Sequence, residues 1–426
     1  MDVGVLSKFN PWWTSGAVPQ SLLGARERPV LAEAKSYAGK RFIVLLYGLR
    51  RVGKTTMLYQ LIDSLLKKGV PPYNVLYFSF DEEAGGIDGV VAAYEEKVLK
   101  KRLADAGSVF LFFDEVHKAA GWQSKVKLLY DLNPGLKIFL SGSASISLQK
   151  KSAESLAGRM VDVLVEPLSF SEFLEWKGVA VDAERPELSA REAEPLLSDY
   201  LRKGGFPEMA FEDDDGMIRK YVKNAVLDRI LYQDLPQEFG LKDAELLRTL
   251  LELFAKDPGM IANVDSLSRD LGKNRITIGN YIEYLRHALL VREVKNLRGS
   301  ALVSSRKGRK IYPANTSFCF AYREDFFSDK ALERVDEAVV AQHLRADYYY
   351  RNSFEVDFVQ KTSRGAFPIE VKHGNANDSQ VRKFMEKFNA AKGLVVARDA
   401  GAPTTGEPRT MPLWLFLLQE TERLFE

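Results

Sequence analysis

The chain has 426 residues, of which 46% are hydrophobic and 28% charged, with a net charge of +2 and one cysteine, Cys319. These values fit a globular protein of roughly two to four domains. They exclude a disulfide framework and a zinc cluster of cysteines, and they make no global electrostatic case for nucleic acid.

The start, MDVGVLSKFNPWW, lacks a basic segment followed by an apolar run, so no secretory leader is expected. The longest apolar stretches fall far short of a membrane span, and the expected setting is cytoplasmic, with no membrane partner. From 42 to 165, short apolar runs at 42–47, 75–80, 109–113, 137–140 and 160–165 alternate with helical patterns. Strands apolar on both faces predict an α/β fold with a parallel sheet covered by helices. Residues 54–68 place Met57, Leu58, Leu61, Ile62, Leu65 and Leu66 at helical spacing, with Gly69 as a stop. Residues 169–235 read as mostly helical, and 242–300 as three helices and a strand. The third of these, about 274–289, is expected to bury Ile276, Ile278, Ile282, Leu285 and Leu289. Residues 299–310, rich in Gly, Ser and basic side chains, predict a flexible connection. Strands return at 346–351, 354–360, 367–372 and 394–398, with a helix at about 377–391 among them.

Gly48-Leu-Arg-Arg-Val-Gly53-Lys54-Thr55 satisfies G-x-x-x-x-G-K-[ST] between an expected strand and an expected helix. Its glycines let backbone N–H groups turn toward phosphate oxygens, and the helix N-terminus faces the anion. Gly48, Arg51, Val52, Gly53, Lys54, Thr55 and Thr56 are the expected ATP-binding residues, with Lys54 on the β- and γ-phosphates and Thr55 on Mg²⁺. Asp114 and Glu115 end the apolar run 109–113, at the end of a strand where such sheets bind ligands. Asp114 is expected to serve Mg²⁺ and Glu115 the attacking water. The alternatives are an ordinary glycine turn and a solvated acidic turn. The string DEVH also invites a helicase reading, but there is only one nucleotide-binding core and no second helicase motif set.

Together, FNPWW, GLRRVGKTT, FFDEVHKAAGW, LSGSASISL, LAGRMVDVLVEPLSFSEFL, GGFPE, EVDFV and IEVK resemble the archaeal and bacterial AAA-type, STAND-like P-loop ATPases over nearly the whole chain. The resemblance implies a sensor at Ser141 or Ser143, an arginine finger at Arg159 acting on a neighbouring subunit, and a lid contact at Pro207. Each has a structural alternative: turn hydrogen bonds, helix-end electrostatics and a helix stop. The implied organisation is an ATPase core at 1–168, a helical lid at 169–240, a winged helix at 241–300 and a nuclease-like domain at 301–426.

The polar face of the third helix, with Asn274, Arg275, Thr277, Asn280 and Arg286, has the chemistry of a DNA-reading helix, although winged helices also serve as protein contacts. In the last segment, Glu370 and Lys372 share a strand face, Asp357 lies on the preceding strand and Glu337 on a helix. This set resembles the PD-(D/E)xK restriction-endonuclease-like core, which implies a second divalent metal at Asp357 and Glu370. Cross-strand salt bridges are the alternative. Two functions remain open: a Mg²⁺-dependent ATPase switching a module that binds or cleaves DNA or RNA, and an ATP-driven signalling or scaffold switch whose last domain holds a partner. A homo-oligomer is compatible with both.

Overall fold

The computed structural model describes residues 1–81, 86–144, 156–182, 185–297, 308–363, 365–374 and 376–425. It divides into two units, Met1–Glu166 and Pro167–Glu426.

The first unit holds five parallel strands: β1 (Ile43–Tyr47), β2 (Val75–Ser79), β3 (Val109–Asp114), β4 (Leu136–Gly142) and β5 (Met160–Leu164). Their order is β2-β3-β4-β1-β5. Each begins and ends within two residues of the expected run. The central strands β3 and β1 are buried nearly throughout, because helices such as Lys54–Lys67 and Trp122–Leu132 lie between consecutive strands. Strand β4 separates β1 from β3, and Leu46 pairs with Ser141 while Phe113 pairs with Leu140. The C-terminal ends of β1, β3 and β4 therefore share one edge.

Strand β2 is a sheet edge, which would leave backbone groups without partners. The FNPWW segment covers them. The Asn10 amide donates to Tyr77 O at 2.9 Å and its carbonyl accepts from Tyr77 N at 2.7 Å. The Trp12 and Trp13 indoles both donate to Val75 O, at 3.1 and 2.9 Å.

The second unit opens with helices, including Phe170–Trp176, started by a Ser169–Glu172 capping box, and Ala190–Lys203. GGFPE forms a tight corner after the latter. A Cβ on Gly205 would lie 2.2 Å from Leu168 O, so the close backbone approach demands glycine, and Leu168 N donates to Gly205 O at 2.7 Å.

Then follow helix Ala244–Lys256, β6 (Met260–Ala262), helices Val264–Asp270 and Arg275–His287, β7 (Val291–Asn296) and β8 (Arg309–Pro313). After helices Thr316–Tyr322 and Asp329–Leu344 come β9 (Tyr348–Arg351), β10 (Glu355–Thr362), β11 (Gly365–Lys372), β12 (Leu394–Ala397) and β13 (Arg409–Pro412), with helix Ser379–Phe388 between β11 and β12. These strands make one sheet, ordered β13-β12-β11-β10-β9-β7-β8-β6. It runs across residue 300, because β7 pairs in parallel with β9 through Lys295↔Tyr348.

Two expectations are corrected. Ile276 is 72% exposed, since it sits in the first turn of its helix, whereas Ile278, Ile282 and Leu285 are buried. Arg309 and Lys310 belong to β8 rather than to a flexible connection. Residues 299–307 of that connection, and the SISL part of LSGSASISL, lie outside the described residues.

Candidate nucleotide site and a second carboxylate cluster

The turn from β1 into helix Lys54–Lys67 is sterically constrained. A Cβ on Gly48 would stand 2.1 Å from Val165 O. Arg51 adopts a left-handed φ of 67°, uncommon without glycine. Val52 is fully buried, and its carbonyl accepts from Arg28 at 3.2 Å, which also reaches Glu166 O at 2.6 Å. Lys54 is buried, with its ammonium on Leu49 O at 2.8 Å and Gly48 O at 3.2 Å. Thr56 is half-buried beside Gly24.

Asp114 ends β3 at 3% exposure and accepts three hydroxyls. Thr55 Oγ1 and Tyr77 Oη both donate to Oδ2 at 2.8 Å, and Ser141 donates to Oδ1. Burial and then neighbouring Glu115 raise the Asp114 pKa, while the hydroxyls pull it down. Burial, then Asp114, hold the Tyr77 phenol far above its ordinary value, so it stays a donor. Glu115 has a left-handed φ of 51°, its N–H donates to Ser141 Oγ at 3.0 Å, and its carboxylate lies 3.4 Å from His117 Nδ1.

Of the expected site residues, Lys54, Thr55, Asp114, Glu115 and Ser141 come together at one sheet edge. Ser143 is half-buried just past β4. Arg159 is not brought to the site of its own chain. It precedes β5 at the opposite edge, where its backbone carbonyl accepts from Ile43 N, and its guanidinium binds Asp131 at 2.9 Å. Pro207 opens a short turn, Pro207–Met209, in the second unit.

In the second unit, antiparallel β10 and β11 set Asp357 beside Glu370. Val371 N donates to Asp357 Oδ2 at 2.9 Å, and Lys372 Nζ donates to Glu370 Oε1 at 2.6 Å. Tyr312 Oη donates to Glu337 Oε2 at 2.9 Å. Lys310, 4% exposed, lies among these carboxylates, with Nζ 2.8 Å from Glu355, 3.6 Å from Asp357 and 3.9 Å from Glu337. Burial works against the Lys310 charge, yet Asp357, Glu337 and Glu355 raise its pKa overall. Burial and then Asp357 push both Glu337 and Glu370 up to about 7.

No group of three or more His, Cys, Asp or Glu side chains among the described residues is disposed to hold a metal ion. Lys310 and Lys372 supply positive charge beside these carboxylates.

The helix expected to read DNA uses its polar residues partly on itself. Asn274 caps Ile276 N at 2.8 Å, and Arg286 binds Glu283 at 2.6 Å. Arg275, Ile276 and Asn280 do line a groove of about 890 Å³, but Asp265 and Glu283 line it too. A second groove, of about 680 Å³, carries Arg351, Lys361, Lys387, Tyr350 and Phe388, with no carboxylate in its lining among the described residues. Phe388 is 42% exposed, and Lys387 lies over its ring and that of Tyr350.

The AAA domain family matches residues 40–174, and a domain of unknown function (DUF8612) matches residues 194–325. The uncharacterised protein MJ1544 of Methanocaldococcus jannaschii is 30% identical over 332 residues, covering 74% of this chain and 71% of that protein. The chain belongs to that protein's family. Its first unit is an AAA-type P-loop ATPase domain. An uncharacterised protein of Haemophilus influenzae is 27% identical over 344 residues, covering 78% of this chain and 82% of its own. Among solved structures, the Walker-type ATPase PABY2304 of Pyrococcus abyssi covers 71% of this chain and 99% of its own, at 16% identity and a TM-score of 0.39, too slight a likeness to add to the family match.

Sequence reasoning about this AAA-domain protein missed Tyr77 and Lys310. Tyr77 sits in a run that reads as strand core, and only the pairing Ser79↔Asp114 reveals that β2 lies beside the acidic strand. Lys310 was absorbed into a stretch that reads as a loop. No helix among the described residues is long and apolar enough to cross a membrane.

Proposed function

We propose that the protein binds ATP with Mg²⁺ at residues 48–55 and hydrolyses it, and that nucleotide state switches what the second unit holds. The observation that carries this reading is the meeting of Thr55, Asp114 and Ser141 beside the buried Lys54, at the C-terminal edge of the parallel sheet. Lys54 exchanges its two carbonyl partners for the β- and γ-phosphates, a stronger charge-assisted contact. Thr55 and Asp114 offer oxygen donors only, the chemistry of a hard cation. Mg²⁺, when bound, neutralises charge on the phosphate oxygens. Glu115 polarises the attacking water, and Ser141 fixes its backbone. Arg159, at the far edge, acts on the ATP of a neighbouring copy in a homo-oligomer.

For the second unit, the carboxylate-free groove supports contact with DNA or RNA: Arg351, Lys361 and Lys387 for phosphates and Phe388 as a stacking face. The lysine-balanced carboxylates favour a module that holds its partner over one that cleaves it.

The test is ATP affinity and phosphate release for wild type and Lys54→Ala, with and without single-stranded DNA and RNA. Wild type is expected to turn over ATP only with Mg²⁺, and Lys54→Ala to lose affinity roughly tenfold or more. A wild type that neither binds nor hydrolyses ATP contradicts the reading.

A further inference from the structure

The FNPWW segment and Tyr77 form a chain of contacts that ends on the Asp114 carboxylate. Asn10 takes both outward backbone bonds of Tyr77, and the Trp12 and Trp13 indoles hold Val75 two residues earlier. The Tyr77 ring packs against Tyr59, with centroids 4.6 Å apart, and is 2% exposed. Its hydroxyl lies on Asp114 Oδ2 at 2.8 Å, the same oxygen that receives Thr55, with Tyr59 also within hydrogen-bonding reach. Ser141 holds the other oxygen. The Asp114 carboxylate is thus fixed in plane and rotation by donors from β2, β4 and the P-loop helix.

We infer that Tyr77 is a positioning residue for Mg²⁺ in the nucleotide site, orienting Asp114 so that its carboxylate and the Thr55 hydroxyl face one cation. This rests on the ATPase reading and deepens it. Tyr77 acts through Asp114, on which its hydroxyl lies. Thr55 keeps lone pairs for a cation while it donates its proton to Oδ2, and the Tyr77 hydroxyl donates to the same oxygen. Removing that hydroxyl takes away one of the two donors on Oδ2 and leaves Asp114 less tightly oriented, held by Thr55 and Ser141 alone, a cost felt where the carboxylate must meet a cation. The phosphate-binding backbone and Lys54 are unaffected. The N-terminal segment, which reads as a sheet-edge cover, therefore also bears on the chemistry.

The experiment titrates Mg²⁺ against binding of a fluorescent ATP analogue to full-length Tyr77→Phe and wild type, alongside the analogue's affinity in EDTA and thermal melting. The wild type comes first: binding indifferent to Mg²⁺ there overturns the ATPase reading itself. Given Mg²⁺-dependent wild-type binding, Tyr77→Phe should raise half-saturating Mg²⁺ roughly tenfold with EDTA affinity unchanged. Turnover at saturating Mg²⁺ should recover to within about twofold, since orientation is then imposed by mass action. An unchanged Mg²⁺ dependence overturns the inference. So does loss of folding or of metal-free nucleotide binding, either of which leaves Tyr77 a structural role only.

Discussion

Two buried carboxylate centres in this protein are held in opposite ways. Asp114, in the first unit, is met by hydroxyls from Thr55, Tyr77 and Ser141. Glu337, Asp357 and Glu370, in the second unit, lie against the ammonium groups of Lys310 and Lys372, with one hydroxyl, from Tyr312, on Glu337. Hydroxyls orient a carboxylate and leave its charge available to a cation. Lysines cancel the charge in place. Two centres that read alike as metal sites in sequence thus differ in whether a cation is already supplied.

The comparison breaks most sharply at turnover. Glu115→Gln should retain ATP affinity and lose about 10²–10⁴-fold in kcat, measured by phosphate release, because the water loses its polarising base. Unchanged turnover would remove Glu115 from the chemistry.

On the lysine side, Lys310→Met should cost about 3–5 kcal/mol in urea unfolding, the range for leaving buried charge without its partner. A variant as stable as wild type would mean that the carboxylates have another source of neutralisation.

The pH response sharpens the same point. Glu337 and Glu370 titrate near 7 in the fold, against an ordinary 4.5. Their protonated forms are favoured by folding, so this stabilisation is full below about 4.5 and lost as pH rises through about 7. Relative to wild type, Glu337→Gln and Glu370→Gln should gain stability across that window, by roughly 1–3 kcal/mol each in chemical denaturation. A pH-independent difference would contradict the burial account.

The smallest effect is expected at Arg159. Arg159→Ala removes a half-exposed ion pair with Asp131 and should change stability by less than about 1 kcal/mol, with ATP affinity unchanged. Any loss of turnover should appear only at concentrations where copies associate.

Much of the first unit was legible because its signals are local. A run such as Val109–Phe113 reads as a buried strand whatever surrounds it, and the P-loop and the Asp114–Glu115 pair follow such runs directly. What stayed hidden depends on long-range pairing. The strand order that sets Tyr77 beside Asp114 has no local signature, and neither does the pairing that turns Lys310 inward toward Asp357. Ile276 misled for a related reason: helical spacing counts an apolar residue toward the core even when the first turn carries it outward. Likewise, Asn274 and Arg286 have base-reading chemistry, but one caps its own helix and the other pairs within it.

The most direct test of the two-centre account is Mn²⁺ binding to the full-length protein, followed by electron paramagnetic resonance with a non-hydrolysable ATP analogue present. Wild type and Asp357→Asn should bind Mn²⁺ equally, and Asp114→Asn should bind it far more weakly. A Mn²⁺ site that survives Asp114→Asn and disappears in Asp357→Asn would contradict the account.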